Sequence, residues 1–355
     1  MNTHGAGVEF GYLCSYFPVE LVLAAGLHPA RILPAVSPST GLLPPFLCAP
    51  VRSYLEAGIS GDLSALAGVG FVHACDAMQC LAQVWGVLVP APRPFLVPSP
   101  TRRDQAALPR FRAALQRLGR VLGEFTGHQV GEEELGPALE EVNGHRSYLA
   151  ALMARRDTVP IPDLWEVFRT PWRPPDRAQP PDPAQRSARS QPPDPSQQTR
   201  PRLVLSGSPV PSPDLLFMLE EAGALVVGDD ICTMERGLGL PTQCYNPEKD
   251  DPWDALARHY LGLPPCPCRH PGPEVRREHL HSLLESRRAQ GAVLLAEKFC
   301  EPQLWEQHRT ATWLRQKGIA VTVLEQESGR RPGERERTRL QAFVESLMAT
   351  SPEVR

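Results

Sequence analysis

A chain of 355 residues is longer than the size at which a single hydrophobic core stops growing, so two or three domains are expected. Its 37 Lys and Arg against 40 Asp and Glu leave a formal charge of −3, which gives no electrostatic ground for nucleic acid or an anionic membrane as a partner. With no apolar run near the roughly 18 residues of a spanning helix, no secretory-signal pattern at the start, and nine cysteines too irregular for a disulfide framework, the sequence reads as a cytoplasmic protein with reduced thiols.

The stretch 11–26 opens as a short strand, turns at Pro18, and becomes a compact helix ended by Gly26. A second strand is predicted over 28–33. Cys48 then lies just ahead of a helix started by Pro50 and stopped by Gly58. Residues 69–74 form an apolar strand running into a helix that carries Met78, Leu81, Ala82 and Trp85 on one face, with Cys75 at the junction. In a parallel α/β sheet that junction collects ligands, and the helix start favours a thiolate; a lone cysteine there is more often just a small core residue. Short extended pieces are predicted at 87–89 and 95–97. Strands alternating with helices argue a parallel sheet covered on both faces.

From Thr101 the pattern changes to long helices, with Thr101 and Asp104 spaced as a capping box. Leu108, Phe111, Leu115, Leu118, Leu122 and Phe125 make one apolar stripe, and a second helix from about Glu132 carries Leu135, Leu139, Val142, Leu149 and Met153. Plain packing accounts for this layer. Residues 171–201 hold ten prolines and almost nothing apolar, so they are expected to be a disordered linker. Beyond it the α/β rhythm returns, with strands at 203–207, 224–228 and 319–324, a strand-like apolar run at 291–300 that ends on Cys300, and helices at 214–221, 253–261, 274–289, 304–315 and 337–348. The expected domains are therefore 1–100, a helical layer 101–170, the linker 171–201, and a second α/β domain 202–355.

Cys48, Cys75 and Cys300 each fall where a loop or strand end runs into a helix, in three separate α/β units. Three thiolates converging this way suit an iron–sulfur cluster, although no CxxC pair reinforces the spacing. With only three protein ligands one iron would stay open to a substrate oxygen. Cys266, Cys268 and His270 could instead bind zinc, but no second matching pair accompanies them. Cys80 reads as a core residue, and Asp229 and Asp230 as either paired carboxylates for proton work or an acidic cap before an irregular turn.

A set of short motifs runs in order through nearly the whole chain. It comprises Gly11-Tyr12-x-Cys14-x-Tyr16-x-Pro18-x-Glu20 with Ala24-Ala25-Gly26, Cys75-Asp76-Ala77-Met78, Glu124-Phe125-Thr126-Gly127, Asp229-Asp230-x-Cys232-Thr233-x-x-Arg236, Lys298-Phe299-Cys300, and Thr338-Arg339 with Ala342-Phe343. The series resembles the 2-hydroxyacyl-CoA dehydratase and benzoyl-CoA reductase subunit family, in its smaller-subunit, D-component form. The resemblance implies an oxygen-sensitive [4Fe-4S] cluster on three cysteines, matched by Cys48, Cys75 and Cys300, while substitution of Cys268 is expected to leave cluster content unchanged. It implies an acyl-CoA substrate bound near Ser15, whose hydroxyl could hydrogen-bond a substrate group. It also implies a paralogous subunit or a second copy of the chain as partner, and an ATP-dependent iron–sulfur activator. No GxxxxGK[ST] phosphate loop occurs in the chain itself.

Two departures from the family pattern stand out. Glu301-Pro302-Gln303 replaces the usual Asp-Pro-His, and Met234 replaces a glycine after Cys232-Thr233. No additional cysteine lies between Cys48 and Cys75, which argues against a double cubane.

The fold class expected is α/β, two Rossmann- or flavodoxin-like parallel-sheet domains with an intervening helical layer. The function implied is the iron–sulfur subunit of a 2-hydroxyacyl-CoA dehydratase, working through a ketyl radical after one-electron activation. An aromatic acyl-CoA reductase subunit and a non-catalytic electron carrier are the alternatives.

Overall fold

Short apolar strands that cannot pair with their sequence neighbours by a tight turn need crossovers, and helices supply them here. The computed structural model describes residues 8–35, 41–100, 102, 104–172, 200–239, 245–268 and 272–350. Strands β1 (Glu9–Tyr12), β2 (His28–Arg31), β3 (Gly68–His73) and β4 (Arg93–Pro98) form an all-parallel sheet in the order β2-β1-β3-β4. Strands β5 (Arg202–Gly207), β6 (Leu225–Ile231), β7 (Gly291–Glu297) and β8 (Ala320–Gln326) repeat that order as β6-β5-β7-β8. Strand order reverses between β1 and β3, and again between β5 and β7. Each reversal opens a crevice at the carboxyl ends, where doubly wound sheets bind ligands.

The first sheet is covered by α1 (Val19–Ala24), α2 (Ala49–Ser60), α3 (Asp76–Leu88), α4 (Ala107–Thr126) and part of α5 (Glu132–Met153). Around the second lie α6 (Ile161–Arg169), α7 (Asp214–Glu221), α9 (Pro273–Ser286), α10 (Glu301–Gln316) and α11 (Glu334–Thr350). Helices thus lie against both faces of the sheets, as an all-parallel sheet requires, although the edge strand β4 alternates buried Phe95 and Val97 with exposed Leu96. Helix α5, 22 residues and roughly 33 Å long, belongs to both halves. Its Leu135, Leu139 and Val142 enter the core of the first sheet, and its Leu149 and Met153 enter that of the second. Helix α8 (Pro252–Gly262), although it follows β6, packs Trp253, Leu256, Ala257 and Tyr260 into the first core. Among the described residues no helix is long and apolar enough to cross a membrane.

Several local expectations need correction. Gly58 does not stop α2, which runs on to Ser60 and is capped by Gly61 at φ +84°. A Cβ on Gly58 would sit 2.6 Å from the Trp85 ring, so its glycine is a packing requirement. Helix α3 continues through Val87 and Leu88, both exposed, because no strand lies beside them to pair with an extended segment. Cys80 is exposed, since Leu81, Ala82 and Trp85 take the inward face. Asp229 and Asp230 lie inside β6, which extends to Ile231, while the Asp229 carboxylate still caps the irregular turn that follows, accepting from the Ile231 and Glu235 N–H groups at 3.0 Å. Thr101 and residues 173–199 of the proline-rich stretch lie outside the described residues. Asp104 still accepts a hydrogen bond from the Ala107 N–H at 3.1 Å, at the start of α4.

Candidate functional site

The three cysteines picked out by position occupy one kind of place. Cys48, Cys75 and Cys300 are the N-cap residues of α2, α3 and α10, so each presents its sulfur beside a helix start that favours negative charge. Two come from the first sheet and one from the second. The Cys48 thiol is close enough to those of Cys300 and Cys75 for their charges to act on it. A further thiol joins them. Cys268, in the turn between α8 and α9, has its Sγ 3.7 Å from that of Cys300 and is in hydrogen-bonding contact with the thiols of Cys75 and Cys266. Cys266 in turn lies near Cys14, which follows β1, and Cys14 near Cys232, which follows β6. All seven are partly buried.

The electrostatics follow from that crowding. Burial pushes the Cys14 thiol, and burial together with the neighbouring Cys300 the Cys48 thiol, up to about 12. Cys266 is drawn down to about 6 by its hydrogen bond from Cys268, helped by the guanidinium groups of Arg236 and Arg276. Cys75 is lowered by a hydrogen bond from Cys268 as well. Cys268, donating to several sulfurs at once, is held well above its ordinary value. Without a cation such a set shares protons, whereas a bound metal centre would let all of its ligands ionise. Among the described residues no three His, Cys, Asp or Glu side chains surround one point closely enough for a single metal ion. Soft thiolates spread over several elements suit a multi-iron cluster, which is larger than one ion. His270, the third member of the zinc reading, lies outside the described residues, and the other two, Cys266 and Cys268, point into the thiol group.

Around the thiols the two sheets are joined by polar ties. Arg52 of α2 pairs with Glu327, just past β8, at 2.8 Å. Arg31 of β2 donates from Nη2 to the Cys232 carbonyl at 3.1 Å, while its Nε and Nη1 meet no acceptor among the described residues. Sequence reasoning passed over Arg31, and only its place beside Cys14 at the crevice singles it out. Ser15 stands half-buried in the turn after β1.

The signature Asp229-Asp230-x-Cys232-Thr233-x-x-Arg236 is mostly scaffold. Asp229 is paired with Arg156, and Asp230 with Arg276 at 2.6 Å and Arg236 at 3.1 Å. Both are fully engaged, which removes them as acid–base candidates. The Thr233 hydroxyl accepts from the Val210 N–H at 2.9 Å. Met234, where the family pattern expects glycine, is wholly buried in the second core. The glycine that matters is Gly237, where a Cβ would fall 2.3 Å from the Cys232 carbonyl oxygen. Gln303, in the place of the family's histidine, is buried and hydrogen-bonded to the Ser208 hydroxyl.

Residues 14–347 match the family described as 2-hydroxyglutaryl-CoA dehydratase, D-component. The chain belongs to that family. Curated relatives agree along most of their length. The (R)-phenyllactyl-CoA dehydratase beta subunit of Clostridium sporogenes is 25% identical over 95% of this chain and 91% of its own. One of the benzoyl-CoA reductase subunits of Thauera aromatica is 23% identical over 83% and 79%, and the lactoyl-CoA dehydratase beta subunit of Anaerotignum propionicum 21% over 95% and 91%. The family thus spans dehydratase and reductase subunits, and each of these relatives is named as one subunit of a larger enzyme.

Proposed function

We propose that this chain is the iron–sulfur subunit of a 2-hydroxyacyl-CoA dehydratase, with a [4Fe-4S] cluster held by Cys48, Cys75 and Cys300. The observation that carries the reading is the meeting of three helix N-caps, from two sheets, at one group of thiols in a chain of this family. When bound, the cluster would supply a single electron to the thioester, the hard step of a radical elimination of water.

The protein's own part is placement and exclusion. The three N-caps would present thiolates in a fixed frame, since each is anchored by a helix and its preceding loop or strand. Ser15 is offered to a substrate oxygen, and Arg31, with two N–H groups that meet no acceptor among the described residues, supplies a cation on the same side, near Cys14. Phe46 and Phe299, each within two residues of a cluster cysteine, are exposed, as is Trp305 of α10; these suit burial by a paralogous subunit or a second copy. Electrons would come from a separate ATP-dependent iron–sulfur activator, and the cytoplasm is the compartment that suits reduced thiols.

A second reading is favoured by Gln303. An amide tied to Ser208 can neither take up nor deliver a proton, so a family member altered here suits an electron-carrying partner subunit. The benzoyl-CoA reductase relative keeps the aromatic acyl-CoA reductase in view as the other enzyme.

Protein prepared without oxygen, with cluster assembly available, should hold about four irons and four sulfides per chain. Cys48→Ser, Cys75→Ser and Cys300→Ser should each cut that content severalfold. Iron-free protein under those conditions would overturn the reading. With partner, activator and ATP, water should be lost from a 2-hydroxyacyl-CoA; an intact cluster that stays inactive across a broad acyl-CoA panel selects the carrier.

A further inference from the structure

We propose that the groove between α9 and α10 binds the phosphate of a phosphorylated small molecule. The site stands outside the thiol group and does not depend on the cluster reading. Leu280 and Leu284 of α9 and Ala311 and Leu314 of α10 are buried in one core against the second sheet, which turns the opposite sides of both helices outward. Between those sides lies a groove of about 360 Å³, lined by Arg277 of α9 and by His308, Arg309, Thr312, Trp313 and Gln316 of α10. Two guanidinium groups, one from each helix, thus face one hollow that no carboxylate lines.

Arg277 points most directly to a ligand. Its Nε and Nη2 are shut off from solvent and meet no acceptor among the described residues. Donors left that way are costly, so they favour a ligand that supplies acceptors. The frame around them is held in place. The rings of Trp313 and His281 meet edge to face with centroids 5.7 Å apart, and the Lys317 ammonium stands over the indole at 5.7 Å, a third cation at the rim. The Thr312 hydroxyl already donates to the His308 carbonyl at 3.1 Å, which leaves the donating to the arginines and the Gln316 amide. A phosphate monoester brings up to two charges and three acceptor oxygens that fit guanidinium forks, whereas a carboxylate brings one charge and two oxygens. The groove residues of α10 stand roughly 12–24 Å along the helix from Cys300, its N-cap. Two sources carry such a phosphate: a free nucleotide, and the nucleotide end of an acyl-CoA whose thioester lies at the thiols.

The test is calorimetric titration of the full chain, prepared without oxygen, with inorganic phosphate, ADP and coenzyme A. Wild type is compared with R277M, R277K, R309M, R31M and R110M, the last an exposed arginine of α4, and urea midpoints check that each is folded. Wild type, R31M and R110M should bind inorganic phosphate saturably, and more weakly as salt rises. R277M and R309M should each weaken that binding about tenfold or more. R277K, which keeps the charge but not the fork, should fall between wild type and R277M. Tighter binding of coenzyme A than of ADP, with the same loss in R277M, assigns the phosphate to an acyl-CoA; the reverse order assigns it to a free nucleotide. Absence of saturable phosphate binding would overturn the inference, as would binding unchanged in R277M and R309M. So would loss in R31M alone, since that places the anion at the thiol crevice.

Discussion

Gly58 shows how a single hydrogen in place of a methyl group can set the packing of two helices. The Trp85 indole lies against it, wholly buried, and its N–H donates to the Pro92 carbonyl at 2.9 Å, so the ring has no freedom to retreat. Gly58→Ala should therefore lower stability by about 1–3 kcal/mol, the usual cost of overpacking, read as a lower urea midpoint with unchanged slope. The sequence alone suggests a helix stop here, because a glycine near a helix end and a glycine facing an aromatic ring look the same until the ring is placed. Cys268 posed the same difficulty. Its partners are at positions 75 and 300, and a Pro-Cys-Pro-Cys run carries no sign of either.

At the level of elements, the strands were legible wherever apolar runs are buried on both faces, as in 69–73 and 291–296. The end of β6 was not, because Asp229 and Asp230 sit in a strand only by virtue of arginines at 156, 236 and 276. Charges neutralised from a distance leave no periodic trace. A similar tie joins three helices. Glu20 of α1 pairs with Arg146 of α5 at 2.6 Å, and the Tyr260 hydroxyl of α8 donates to Glu20 at 2.8 Å. All three side chains are buried, so Arg146→Met would strand the Glu20 carboxylate in an apolar core. The expected cost is about 3–5 kcal/mol. Restoring the balance with Glu20→Gln in the same chain should recover part of it, a coupling that a double-mutant cycle in urea measures. Additive losses would show that the pair contributes nothing beyond its two packing sites.

The whole molecule should be acid-sensitive. His259 is held well below 6.5 by burial and by the charge of Arg146, and His145 and His279 are lowered too, chiefly by burial. Unfolding exposes each imidazole to a proton it takes up near pH 6.5, whereas the folded chain binds that proton only at lower pH. The imidazole contribution is therefore complete above about pH 6.5 and falls as pH drops below it, by up to about 1.4 kcal/mol per pH unit for His259. It is offset in part by buried Glu297, whose carboxyl burial pushes up to about 7 and so favours the folded chain as it protonates. His259→Phe should flatten the fall between pH 6.5 and 5.5 in urea titrations; an unchanged slope would assign the sensitivity to other groups. The two sheets share one topology, which the alternation of strands and helices announced, but the way they share helices was not foreseeable. Because α5 is half in each core and α8 crosses into the first, neither sheet is an autonomous piece. A fragment ending at residue 172 lacks Trp253, Leu256 and Tyr260, and one beginning at 200 lacks Leu149 and Met153. Each alone should be insoluble or molten, while the two co-expressed should complement one another into a single particle that melts in one transition, so excising either half as a minimal cluster-binding module will fail.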